Sequence, residues 1–118
     1  MAREDYFHYP RSADQDVIAY DNTFIRDFVP RGEITTALPL LEAPDASGVQ
    51  NITEPVLIQL GDQDMYAPAS LAPYEPGYYQ SAQSVTVQVL HDMGHNFSLH
   101  LNNHVGWAQI DAWLGSVL

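Results

Sequence analysis

Cysteine is missing from the 118 residues, and so is lysine. Without thiols the chain forms no disulfide, offers no thiolate nucleophile and builds no zinc–thiolate site, and redox chemistry leaves its compartment open. Its basic residues are four arginines, Arg3, Arg11, Arg26 and Arg31, all near the amino end. Fifteen carboxylates oppose them and set the net charge at −11. Residues 32–118 hold nine carboxylates and not one Lys or Arg. Such a surface repels phosphate backbones and anionic lipid heads, so nucleic acid and membrane surfaces are poor partners. No apolar run approaches the ~20 residues of a spanning helix. The opening Met-Ala-Arg-Glu-Asp-Tyr lacks the basic-then-apolar layout of a signal peptide, and a cytoplasmic location is the expectation.

What is present suits one globular domain. A hydrophobic share of 46% is ordinary, and a chain of this length supports one core. Residues 1–50 and 51–118 differ in character. The first part begins with Tyr6, Phe7 and Tyr9, closed by Pro10. Ser12 with Gln15 has the form of a capping box, and Val17, Tyr20, Phe24 and Phe28 recur at helical spacing. A helix within residues 13–28, interrupted near Asn22, is predicted. Pro30, Gly32, Pro39 and Pro44 should break the following stretch into short pieces, with Ala46-Ser47-Gly48 as a flexible joint.

The second part carries firmer patterns. Val56-Leu57-Ile58-Gln59-Leu60 is a short, nearly continuous apolar run ending at Gly61, the habit of a central parallel strand. Val85, Val87 and Val89 alternate with Thr86 and Gln88, which reads as a half-buried strand. Pro68, Pro73 and Pro76 keep any helix between the two short or irregular. A last helix, capped by Asn103 or a neighbour, should bury a stripe of Trp107, Ile110, Leu114 and Val117, with Trp113 also packing. This is α/β grammar: two parallel strands joined by a crossover and followed by a helix. Two strands alone leave an edge open, and that edge invites a partner strand.

Two loops stand at the carboxyl ends of the predicted strands, where open α/β sheets place their ligands. Gly61-Asp62-Gln63-Asp64 offers carboxylates, and His91-Asp92-Met93-Gly94-His95 offers imidazoles. A carboxylate that fixes one tautomer of a histidine leaves the other ring nitrogen free to move a proton.

These residues resemble the C-terminal part of the α/β-hydrolase superfamily. There a strand leads into Gly-x-x-Asp, which carries the triad acid, and a later strand leads into Gly-His, which carries the base. On that resemblance Asp64 is the acid, His95 is the base 31 residues later, and Asp62 is a spare acid. The resemblance implies a partial α/β-hydrolase fold: a helical, lid-like segment over residues 1–50, then the last two strands and final helix of the core over residues 51–118. It also implies hydrolysis of an ester-like small molecule without a cofactor or metal. The family's nucleophile elbow, Gly-x-Ser-x-Gly, does not occur in this sequence. A nucleophile would have to come from an N-terminal half or a second chain, and this chain alone should not catalyse acyl transfer. A different class of function, a non-catalytic subunit or interaction module of the same fold, accounts equally for the missing nucleophile and the open edge.

The histidines raise a rival idea. His91, His95, His100 and His104 fall in two pairs four apart, the spacing that sets two imidazoles on one helical face. Gly94 and a strand end interrupt the first pair, so no metal site is expected, and His100 and His104 read as surface or cap groups. Tyr66, Tyr74, Tyr78 and Tyr79 border the acid loop, where loop packing is the plainer account and substrate contact the alternative.

Overall fold

The computed structural model describes residues 3–25 and 30–118. A short helix, α1 (Arg3–Phe7), precedes α2 (Gln15–Phe24), α3 (Arg31–Glu42) and α4 (Pro44–Ser47). Then come a 3-10 turn (Val49–Asn51), β1 (Val56–Gly61), two more short 3-10 turns, β2 (Val85–Leu90), a further 3-10 turn and α5 (His104–Val117). The fold is mixed α/β, with two parallel strands and a C-terminal helix.

The helical half departs from the sequence reading in its details. The Ser12–Gln15 box does not form. Ser12 and Ala13 both donate their amides to the Tyr9 carbonyl in a tight turn. The Ser12 hydroxyl is thereby turned onto the Asp92 carbonyl, and Gln15 donates to the Pro10 carbonyl instead. Asp14 caps α2, its carboxylate accepting from the Asp16 amide at 2.9 Å. The helix passes through Asn22 without a break; Phe28 lies outside the described residues. Pro39 sits inside α3, which runs on for twelve residues despite losing one backbone donor. Ala46 and Ser47 belong to α4, and Gly48, at φ 80°, ends that helix in the left-handed conformation, so the predicted joint is a helix terminus.

The strands form as their side chains dictate. β1 and β2 pair in parallel from Val56↔Val85 to Gly61↔Leu90. The ladder continues one step further, where the Asp62 amide donates to the Leu90 carbonyl at 2.9 Å. Gln59 and Gln88 meet side by side in mid-sheet at 3.0 Å. The same Gln59 amide nitrogen donates to the Gly106 carbonyl of α5 at 3.0 Å. That contact fixes which side of α5 faces the sheet. Gly106, Gln109, Ile110, Trp113 and Val117 lie on the more buried side, whereas Trp107 and Leu114 of the predicted stripe are exposed. Asn103 precedes α5 as expected, but its side chain donates back to the Ser98 carbonyl and caps nothing.

Among the described residues the sheet has two strands, and most of β1 and β2 is only half-buried. Burial is deepest at the carboxyl ends of the strands. Leu60, Leu90 and Met93 are enclosed there, and in the amino-terminal segment Ala13, which bridges to His100, and Ile18 are buried too. The tightest packing therefore lies directly beneath the two loops that carry the candidate chemistry. No described helix is long and apolar enough to cross a membrane.

Candidate active site

Asp64 closes the turn that follows β1. Its amide donates to the Gly61 carbonyl at 3.1 Å, and the Gln63 amide donates across to the Met93 carbonyl at 3.0 Å. The second bond ties the acid loop to the histidine loop. One Asp64 oxygen accepts from the amides of Tyr66 (2.7 Å) and Ala67 (3.0 Å). The other lies 2.9 Å from His95 Nδ1. Three hydrogen bonds offset the removal from water of a carboxylate whose side chain is 6% exposed.

The structure thus brings the two predicted site residues together. An ionised carboxylate only accepts, so Nδ1 of His95 is the donor and Nε2 carries the ring's lone pair in the neutral form. The imidazole is 38% exposed and makes no other hydrogen bond to a described residue. Aromatic rings hold it on two sides. Tyr66 lies 5.5 Å away between centroids, and Phe7 approaches edge-on at 6.1 Å and stacks on Tyr66 in turn. The Phe7 carbonyl accepts from the Asn96 amide at 2.7 Å, so the end of α1 is fastened to the residue after the histidine. A cavity of about 280 Å³ opens beside the acid loop, lined by Asp5, His8, Tyr9, Pro10, Gln63 and Met65.

The spare acid is already engaged. Asp62 accepts from His91 Nδ1 at 2.9 Å and does not reach His95. Burial pushes the Asp62 carboxyl up, but hydrogen bonds, chiefly from His91 and Gln63, outweigh it and hold the group below the usual carboxylate range. His91 is 88% exposed, so this second acid–histidine pair contributes little stability.

His100 overturns its reading as a surface or cap group, being only 2% exposed. Its Nε2 accepts from two amides, Tyr9 at 3.1 Å and Gly94 at 3.0 Å, while Nδ1 donates to the Asn96 carbonyl at 3.0 Å. A ring accepting at one nitrogen and donating at the other is neutral. Burial drives its pKa down from the ordinary histidine value, and neighbouring His8 reinforces the effect against the bond to Asn96. His8 is buried as well, with Nε2 3.1 Å from Asp21. From the sequence His8 and Asp21 carry no signal, and Phe7 stands out only as part of the opening aromatic cluster, with nothing to place it beside His95. The one signal for His100 was its place between Leu99 and Leu101.

The four C-terminal histidines thus have separate surroundings: His91 on Asp62, His95 on Asp64, His100 on backbone and His104 exposed at the start of α5. Among the described residues no three His, Asp or Glu side chains converge as a metal would require. Nor does any described serine hydroxyl hydrogen-bond to His95.

A buried neutral histidine makes stability depend on pH. Unfolded, His100 takes up a proton near pH 6.5; folded, it resists until lower pH. Its contribution is complete above pH ~6.5 and is lost as the pH falls towards the folded value. Asp62 acts in the same direction at lower pH, its contribution present above its unfolded value and lost below it. Urea midpoints should therefore fall between pH 7.5 and 5.5, and the slope should flatten in a His100→Gln chain. A midpoint that holds or rises on acidification would contradict this account of His100.

No protein-family model matches the chain, and none of the curated proteins matches it.

Proposed function

We propose that this chain is the C-terminal portion of an α/β-hydrolase, in which Asp64 and His95 are the acid and base of a catalytic triad. The observation that carries the reading is the 2.9 Å contact between Asp64 and His95 Nδ1 at the carboxyl ends of adjacent parallel strands. That is the position at which open α/β sheets bind ligands. Asp64 keeps Nδ1 protonated and stabilises the imidazolium when it forms. His95 Nε2 takes the proton of an attacking hydroxyl and returns it to the leaving group. The nucleophile is a serine, or an equivalent group, from a complementary N-terminal half or partner chain. The rings of Phe7 and Tyr66 beside the half-exposed His95 suit the apolar part of an ester-like small molecule, and the chemistry needs no cofactor.

A second reading rests on the half-buried two-stranded sheet. A parallel pair with so little cover offers its free edge to a strand of another chain or of a second copy, which suits a non-catalytic interaction module. Native mass spectrometry of the particle isolated from cells, joined to p-nitrophenyl ester turnover, separates the two. The hydrolase reading expects a complementary polypeptide carrying a serine elbow, and ester cleavage by the complex. A stable homodimer without turnover would overturn it in favour of the module.

A further inference from the structure

We propose that His100 is a positioning residue for His95, a buried imidazole that clamps the backbone on which the Asp64–His95 pair depends. The inference rests on the reading of that pair as a proton-transfer dyad and adds a residue that touches neither Asp64 nor the His95 ring.

The geometry is specific. His100 Nε2 accepts from the amide of Gly94, the residue immediately before His95, and Nδ1 donates to the carbonyl of Asn96, the residue immediately after it. One ring therefore holds the backbone on both sides of the base. The same Nε2 accepts from Tyr9, which locks the amino-terminal segment against the loop. At Gly94 that segment is so close that a Cβ would stand 2.7 Å from the Tyr9 nitrogen and 2.8 Å from the His8 carbonyl carbon. An antiparallel bridge from Ala13 to His100, with the Leu101 amide donating to the Ser12 carbonyl at 2.8 Å, fixes His100 itself. The direction in which His95 leaves the backbone is set by these contacts, and Asp64 meets a ring already aimed at it. Gly94 and His100 are buried and Tyr9 is half-buried, so an apolar side chain in place of His100 removes the acceptor of both amides and leaves that of Gly94 with no water to replace it.

The test uses the 118-residue chain labelled with 15N at histidine, and it needs no turnover. Its readout is the tautomer of His95 and the slow exchange of the Nδ1 proton held by Asp64. Amide protection across β1 and β2 reports separately on the fold. In His100→Leu the Nδ1 proton should be lost to fast exchange and the ring should average between tautomers, with strand protection kept. In His100→Gln, whose side-chain oxygen can still accept from an amide, the ordered His95 signal should survive. An ordered His95 in the Leu variant overturns the proposal, as does a disordered one in a Gln variant whose strands remain protected. If the Leu variant loses strand protection, the Gln variant decides. Loss of strand protection in both would make His100 a residue of the fold at large and would also overturn the positioning role. Absence of ester turnover in a reassembled complex would count against the hydrolase reading and leave this result standing.

Discussion

His95→Ala is expected to reduce ester turnover by the assembled complex on the order of 10⁶-fold, and Asp64→Asn on the order of 10⁴-fold, the scale set by serine hydrolase triads. The asymmetry follows from the structure. Alanine removes the group that, in the proposed mechanism, accepts the nucleophile's proton. Asparagine keeps the oxygen that accepts from Tyr66 and Ala67, so the turn survives. It places a carboxamide opposite His95 Nδ1, and the neutral ring is satisfied there by accepting from the amide group. That moves the proton to Nε2, where the base should be free. The double variant should lose no more than His95→Ala alone, because the two residues act as one unit. Steady-state kcat on a p-nitrophenyl ester, with circular dichroism confirming the fold, checks all three. A drop below tenfold in Asp64→Asn would remove the carboxylate from the mechanism.

The largest effect on stability is expected at Gly61. A Cβ there would lie 2.2 Å from the Met93 carbonyl oxygen and 2.8 Å from that of Gly94. Both obstacles are backbone, and they belong to the loop that carries His95. Relief would require the acid and histidine loops to separate, breaking the bond from Gln63 to Met93. Overpacking of this kind costs typically 1–3 kcal/mol and more where nothing yields, and Gly61→Ala should reach or exceed ~3 kcal/mol. Gly115→Ala is the control. It stands inside α5 with nothing within 4 Å of its Cβ, and alanine should stabilise the helix by up to ~1 kcal/mol. Urea titration of the two variants gives both values; a Gly61→Ala chain within ~0.5 kcal/mol of the parent would contradict the close approach seen here.

The strands were legible because their signals are local. The apolar run over residues 56–60 and the alternation over residues 85–89 name their own elements, and the strand ends then place Asp64 and His95 on one rim. Helix boundaries were less so, since caps are decided by neighbours far along the chain: Ser12 is diverted to Asp92, eighty residues away. The inward side of α5 was misjudged for a similar reason. Gln59 seeks the Gly106 carbonyl, and that polar contact rotates Trp107 outward against the hydrophobic pattern. His8 and His100 were illegible as core residues because burial of an imidazole depends on partners, here Asp21 and the amides of Tyr9 and Gly94, that only the tertiary fold assembles.

The most direct test of the central claim is the protonation pattern of one ring. Long-range 15N–1H correlation spectra of the intact chain near pH 8 should show neutral His95 as the Nδ1–H tautomer, with that proton in slow exchange because Asp64 holds it and Nε2 left as an unprotonated acceptor. A ring protonated at Nε2, or one averaging freely between the two forms, would mean that Asp64 does not orient His95 and would leave the proposed proton transfer without its base.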